Sequence, residues 1–159
     1  MRTLLIVPPL DKGDYGMKGH YLEDLKVGMT SRFERHIGEK DITLFSQISG
    51  DTNPVHLDEN YASKTIFKGR IAHGMLTASF ISAALGTQFP GPGSIYISQT
   101  LHFKAPVRIG DLVVVEIALT HINAERARVE LSTICKVEGK SVLEGEAILM
   151  VPRKPKTIS

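Results

Sequence analysis

The pattern of hydrophobic and polar positions divides the chain into a mixed first half and a β-rich second half. Residues 29–37 alternate between polar and larger side chains, which predicts a strand. Residues 74–88 carry apolar or small side chains on nearly every face of a helix. A helix that is apolar all round is a buried helix, so this segment is expected to lie in the core. The proline- and glycine-rich run over residues 89–93 ends it.

Two shorter helices are predicted between the first strand and the buried helix. Asp41 can cap the first, over residues 41–48, and Gly50 can end it. Asp58 can cap the second, which runs through Lys64. The segment between them is expected to turn, because its proline disfavours helical geometry at the residue before it.

The remaining sequence predicts β-structure. Residues 94–104 alternate, residues 112–122 and 126–137 follow across a polar turn, and residues 141–151 complete the set after a Glu-Gly-Lys hairpin signal. The element order predicts an α+β domain in which one antiparallel sheet wraps a single long helix. Such a sheet leaves edge strands and apolar surface, so a homodimer or a larger assembly is expected.

Length and composition fit one globular domain. The chain has 159 residues, of which 42% are hydrophobic and 23% charged, and its net charge is +2. Residues 1–20 are expected to be an N-terminal extension, and residues 21–159 the domain itself. The Lys and Arg residues are scattered and no apolar run could span a bilayer, so neither a nucleic-acid nor a membrane partner is expected. The single cysteine, Cys135, lies in an alternating apolar run, which indicates an inert buried thiol and a reducing, cytoplasmic location.

The candidate chemistry lies at a carboxylate and an imidazole five residues apart, Asp51 and His56. Such a pair can take a proton from a bound water and return one. This spacing would align the two side chains poorly on a continuous helix, and Pro54 breaks that helix so that they can converge. Asn53 is expected to fix the turn through a local bond from its side chain to the backbone. The alternative interpretation is a capped turn with a surface histidine.

A second group of residues opens the buried helix, at His73-Gly74-Met75. The N-terminus of a helix can stabilise negative charge that develops on a carbonyl oxygen. His73 is expected to bond to nearby backbone in a site-orienting position. One Asp and one His are an incomplete ligand set for a metal, so neither a metal nor another cofactor is expected.

These motifs resemble those of a known family. The pattern Asp51-x-Asn53-Pro54-x-His56 is similar to the signature of the R-specific enoyl-CoA hydratases, within the MaoC-like dehydratases of the hot-dog fold. The resemblance covers about residues 27–151. It also includes the stretches His73-Gly74-Met75-Leu76, Gly93-Ser94-Ile95-Tyr96 and Phe103-Lys104-x-Pro106-Val107-x-x-Gly110-Asp111.

The resemblance implies a hydro-lyase that adds water reversibly to trans-2-enoyl thioesters and gives the R-3-hydroxyacyl product. It implies that Asp51 and His56 activate one water and that the backbone N–H of Gly74 forms the oxyanion hole. The alternative for Gly74 is a glycine needed for tight packing. Ser82 corresponds to a serine on the long helix, and we expect it to orient the loop that carries the catalytic pair.

Two other functions remain open. Thioesterases of this fold generally place an acidic residue on the long helix, and residues 74–88 contain none. A non-catalytic acyl-binding dimer would have no use for an intact catalytic pair. The substrate is expected to be an acyl-CoA or an acyl-carrier-protein thioester, and its chain length depends on the side chains that line the pocket. We expect these lining side chains to include Leu76, Phe80, Phe89 and Ile97. Five basic residues that could contact the phosphates of such a substrate, each more simply read as solvated charge, are Lys64, Lys68, Arg70, Lys104 and Arg108.

Overall fold

The computed structural model describes residues 18–156. The elements in chain order are β1 (Thr30–His36), α1 (Glu39–Ser49), α2 (Pro54–Leu57), α3 (Glu59–Ala62), α4 (Gly74–Thr87), β2 (Ile95–Gln99), β3 (His102–Phe103), β4 (Leu112–Asn123), β5 (Arg128–Val137) and β6 (Lys140–Met150). Most of the expected N-terminal extension lies outside the described residues, so its boundary stays a prediction. Within residues 18–156, no helix combines the length and the apolarity needed to cross a membrane.

The six strands form one antiparallel sheet in the order β1-β4-β5-β6-β2, and β3 also pairs with β6. Buried side chains alternate along β4 and β5, so one face of the sheet points into the core. Helix α4 packs against β1, β4 and β5 on that face. The predicted α+β architecture, one sheet wrapped around a single long helix, is therefore confirmed.

Helix α4 supplies the centre of the core. Ile81, Ala84 and Leu85 are fully buried and pack with side chains of the sheet. Full burial of one such leucine or isoleucine stabilises the fold by about 1.5–3 kcal/mol. The prediction that the helix is buried on all faces is wrong for a single chain, because Met75 is 56% exposed and Ser82 is exposed on the same helix.

The N-cap of helix α1 lies three residues before Asp41, the predicted cap. Its N-cap is Gly38, and Asp41 occupies the third helical position, where its carboxylate accepts the N–H of Gly38 at 2.8 Å. Asp41 therefore caps the helix from inside rather than from the N-cap position. Gly50 ends the helix as predicted, with φ at +77° in the left-handed region that glycine tolerates.

The predicted strand over residues 94–104 is broken into β2 and β3. The break lies where the backbone of Thr100 crosses over Gly145 of β6, so closely that a Cβ atom at Gly145 would overlap the carbonyl oxygen of Thr100. The N–H of Thr100 donates to the carbonyl of Glu146 at 2.9 Å, and the hydroxyl of Thr100 accepts the N–H of Glu146 at the same distance. The local alternation did not reveal this crossing because it depends on a glycine far along the chain.

Candidate active site

Asp51 follows directly on the glycine that ends α1. Its backbone N–H donates to the hydroxyl of Ser49 at 3.1 Å. Its carboxylate accepts the backbone N–H of Asn53 at 3.2 Å through Oδ1. These two bonds orient an otherwise exposed carboxylate, and Oδ2 accepts no hydrogen bond from the described residues.

His56 lies on the short helix α2, which starts with Pro54 as its first residue. The Asn53 side chain caps this helix by accepting the N–H of Val55 at 3.2 Å, which is the local bond expected for it. His56 is 8% exposed, and its Nδ1 lies 2.8 Å from the carbonyl oxygen of Ile71. A carbonyl can only accept, so Nδ1 carries the proton and Nε2 presents a lone pair.

His73, the residue before α4, is only 1% exposed. Its Nε2–H is shared between the carbonyl of Asp51 and the hydroxyl of Ser46, each at 3.1 Å. Burial is the main cause that lowers the pKa of His73, and the neighbouring His56 lowers it further, against the opposing effects of the Asp51 carbonyl and carboxylate. His73 is therefore neutral at physiological pH. Its Nδ1 is buried and has no hydrogen-bond partner among the described residues.

The structure brings the predicted pair together and adds a third group. Side-chain atoms of Asp51, His56 and His73 all lie within 4.8 Å of one another. The rings of His56 and His73 stack at 3.8 Å between centroids and are tilted by only 30°. The bond from His73 to backbone was expected from the sequence, whereas its stacking on His56 was not.

This geometry suits proton transfer through water better than metal binding. The lone pair of an imidazole nitrogen lies in the plane of its ring, and a zinc ligand must sit about 2.0–2.1 Å from the metal along that direction. The two stacked rings lie in nearly parallel planes, so one metal ion at that distance cannot lie close to the planes of both. The Nε2 atom of His73 also already donates to the Asp51 carbonyl. The residues therefore fit a resident metal poorly.

Gly74 lines an apolar pocket of about 490 Å³ together with Asp51 and His73. The side chains of Phe67 and Phe103 are among its apolar lining. As the first residue of α4, Gly74 has a backbone N–H that meets no acceptor within residues 18–156. A Cβ atom at Gly74 would lie 2.7 Å from Cε1 of Phe103. The glycine thus provides both a free donor and the space for close packing, and neither interpretation excludes the other.

Within a single chain, Ser82 lies on a different pocket from the loop that carries Asp51 and His56. It lies two turns along α4 and lines a separate surface pocket of about 420 Å³ with Ser79, Tyr96 and Ile97. Its hydroxyl makes no hydrogen bond to the part of the chain that is described. The contacts of one chain therefore give no support to its expected role in orienting the loop.

The expected pocket lining is wrong for all four residues. Leu76, Phe80 and Phe89 pack in the hydrophobic core, and none of them lines the pocket that contains Asp51. Ile97 lies on the separate pocket described above. The reason is geometric for Leu76 and Phe80, because α4 buries these two side chains in the core while its first residue, Gly74, lines the cavity.

The five candidate basic residues differ in position. Lys104 lines the pocket and lies 3.7 Å from the carboxylate of Glu144. Arg70 and Arg108 are instead engaged with backbone carbonyls: the guanidinium of Arg70 donates to His56, and that of Arg108 donates to Phe67. The interpretation of Arg70 as a solvated surface charge is therefore wrong, because its side chain is only 15% exposed.

Comparison with known proteins identifies the family. The family model described as MaoC like domain matches residues 24–141. The (R)-specific enoyl-CoA hydratase of Rhodospirillum rubrum is 54% identical to this chain over 135 residues, which cover 85% of this chain and 94% of the relative. The 3-hydroxybutyryl-CoA dehydratase of Methylorubrum extorquens is 51% identical over 134 residues, which cover 84% of this chain and 85% of the relative.

Solved structures give the same result. The unliganded R-hydratase PhaJ1 from Pseudomonas aeruginosa matches with a TM-score of 0.80 and 42% identity, over 87% of this chain and 96% of that one. The antiparallel sheet and its central helix are therefore the hot-dog fold that the motifs implied. Family model, relatives and structure agree: the chain belongs to the MaoC-like dehydratase family.

Proposed function

We propose that the protein adds water to trans-2-enoyl thioesters and, in reverse, dehydrates R-3-hydroxyacyl thioesters. The observation that carries this proposal is the convergence of Asp51 and His56 beside an apolar pocket whose wall includes the free N–H of Gly74. The names of the two relatives, a hydratase and a dehydratase, agree with the hydro-lyase activity expected from the motifs.

The geometry assigns a role to each group. The Asp51 carboxylate, through its free oxygen, accepts one hydrogen of a bound water, and Nε2 of His56 holds the same water through its lone pair. The water oxygen attacks C3 of the substrate, and the pair takes one proton from the water and returns one to C2. Acid–base catalysis of this kind contributes about 10²–10⁴ in rate.

The carbonyl oxygen of the thioester gains negative charge as C3 is attacked. The N–H of Gly74 points from the first turn of α4, where the helix dipole also favours negative charge. We infer that this donor stabilises the enolate oxygen, a contribution that elsewhere is about 10²–10³ in rate per donor. Asn53 and His73 act as orienting residues. Asn53 caps α2, which carries His56, and His73 donates to the backbone carbonyl of Asp51.

A homodimer is part of the proposal. Strand β2 is an edge of the sheet, and its side chains Ile95, Tyr96 and Ile97 are between 39% and 53% exposed. Met75 is exposed on the neighbouring helix and lines the same pocket as Tyr96 and Ile97. Pairing with the β2 edge of a second copy would satisfy the free backbone groups and bury this apolar surface. Light scattering on the purified chain tests the assembly, and a monomer would contradict it.

The acyl carrier and the location of the protein remain predictions. Lys104 on the pocket wall supplies a cation for the phosphates of either CoA or a carrier-protein arm. The two relatives named above are both described as acting on CoA thioesters. We therefore propose an acyl-CoA as the first substrate to test, and a cytoplasmic protein.

The test compares crotonyl-CoA hydration by the wild type with that by Asp51→Asn and His56→Ala. Both variants should lose nearly all turnover while keeping a native circular dichroism spectrum. Asp58→Asn is the matched control, because Asp58 caps α3 and asparagine caps a helix equally well. Chiral chromatography of the product should show the R-3-hydroxy acid. Near-wild-type turnover in either site variant would refute the assignment, and release of free thiol from a saturated acyl-CoA would indicate a thioesterase.

A further inference from the structure

Arg70 is a largely buried cation beside the proposed site. It lies in the loop before α4, and its side chain is 15% exposed. The Nε–H donates to the backbone carbonyl of His56 at 2.6 Å. The two terminal nitrogens donate to both carboxylate oxygens of Glu39, at 2.7 and 3.0 Å. All three nitrogens of the guanidinium therefore donate within the chain, which leaves little of its charge for a substrate.

The two-residue segment Arg70-Ile71 makes three hydrogen bonds to α2, two with His56 and one with Val55. The Arg70 side chain donates to the His56 carbonyl. The Ile71 carbonyl accepts the Nδ1–H of the His56 imidazole at 2.8 Å. The N–H of Ile71 donates to the carbonyl of Val55, the residue before His56, at 3.3 Å. The ring direction of His56 and the backbone below it thus depend on the same short segment.

The Arg70–Glu39 pair also reaches the other catalytic residue. Glu39 is the first residue of α1, and the far end of α1 leads directly into Asp51. One planar guanidinium therefore joins the start of the helix that places Asp51 to the short helix that carries His56. A bidentate pair of this kind fixes both distance and angle, which a lysine ammonium would not.

We propose that Arg70, held by Glu39, is a positioning residue that sets the distance between Asp51 and His56; this inference rests on the hydratase function proposed above. A displacement of about 1 Å between reacting groups can cost about 10²-fold in rate. Loss of Arg70 should therefore lower the rate of the chemical step, and should change substrate affinity much less. A phosphate-binding arginine would give the opposite pattern, a higher KM with kcat preserved.

The experiment measures kcat and KM for crotonyl-CoA in Arg70→Gln, Arg70→Lys and Glu39→Gln. We expect kcat to fall about 10- to 100-fold in Arg70→Gln, by analogy with the loss of groups that orient a ligating side chain elsewhere. The kcat of Arg70→Lys should fall nearly as far, because lysine keeps the charge but cannot make the two parallel hydrogen bonds of a guanidinium. Glu39→Gln should show a smaller loss, since the bond from Arg70 to the His56 carbonyl remains. The double variant Arg70→Gln/Glu39→Gln should be no worse than Arg70→Gln alone, because Glu39 acts through Arg70.

Arg35→Gln is the matched control. Arg35, on β1, forms an ion pair at 3.3 Å with Asp41, which lies on α1 as Glu39 does. The hydrogen bond from Gly38 to the Asp41 carboxylate does not depend on Arg35. Its kcat should equal that of the wild type. Wild-type kcat in a folded Arg70→Gln, or a raised KM alone, would overturn the proposal. If Arg70→Gln does not fold, Glu39→Gln serves as the test, and an unchanged kcat in Glu39→Gln would overturn the proposal. Asp51→Asn measured in parallel keeps the hydratase assignment separate, because its loss of turnover does not depend on Arg70.

Discussion

Replacing His73 with glutamine should make the protein less sensitive to acid. The His73 ring is 1% exposed, and burial lowers its pKa from the ordinary value of 6.5. As the pH falls below 6.5, the unfolded chain therefore takes up a proton at this residue more readily than the folded chain does. Proton uptake by the unfolded state favours unfolding, so the contribution is fully present above pH 6.5 and is lost as the pH falls.

The size of the effect has an upper limit set by the unfolded state. For one histidine that stays neutral when folded, lowering the pH from about 7.5 to about 5.5 removes at most about 1.4 kcal/mol from the free energy of unfolding. A glutamine amide can still donate to the carbonyl of Asp51, which the His73 Nε2–H contacts at 3.1 Å, but it does not titrate. The variant should keep the bond and lose the pH dependence.

Urea unfolding of both proteins at the two pH values measures this difference. The wild type should lose up to about 1.4 kcal/mol more than His73→Gln over that interval, after the shared contribution of all other groups cancels. An exposed-histidine variant, His121→Gln, serves as the control and should behave like the wild type. Equal losses in the wild type and in His73→Gln would refute the claim that this ring is held neutral by burial.

Three further predictions concern single contacts. Ser46→Ala removes the hydroxyl that shares the Nε2–H of His73, and should lower the free energy of unfolding in urea by about 0.5–1.5 kcal/mol; an unchanged value would contradict the bond. Gly74→Ala places a methyl group 2.7 Å from Phe103. Because that ring is about half exposed and can turn away, we expect a higher KM for crotonyl-CoA with little loss of stability, and an unchanged KM would argue against a substrate at this wall. Burial raises the pKa of Cys135 to about 12, so the native thiol should resist alkylation near pH 8 and react only in urea; rapid labelling of the native protein would count against this.

The parts of the site that sequence could predict are those fixed by neighbouring residues. Asn53 caps α2 and Pro54 is its first residue, so the turn between Asp51 and His56 followed from six consecutive residues. The central helix followed from the apolar composition of a single segment.

The parts that sequence could not predict depend on contacts between distant residues. Ser46 and His73 are 27 positions apart, and Glu39 and Arg70 are 31 apart, so no local pattern marks either pair. Gly145 breaks a strand that lies some forty residues earlier in the chain, through the close approach of one backbone to another. The expectation for Ser82 came from the resemblance alone, and Ser82 lies on an exposed face of α4 in the single chain.

Gly50, with its left-handed backbone, ends α1 directly before Asp51, so the length of α1 determines where Asp51 lies. Each residue of an α-helix turns the chain by about 100°. A one-residue insertion in α1 would therefore swing Asp51 around the helix axis, whereas a full added turn would keep its direction but shift it by about 5.4 Å. We expect homologues that use an Asp51–His56 pair to tolerate insertions in the exposed turn at residues 124–126, between β4 and β5, far more readily than inside α1.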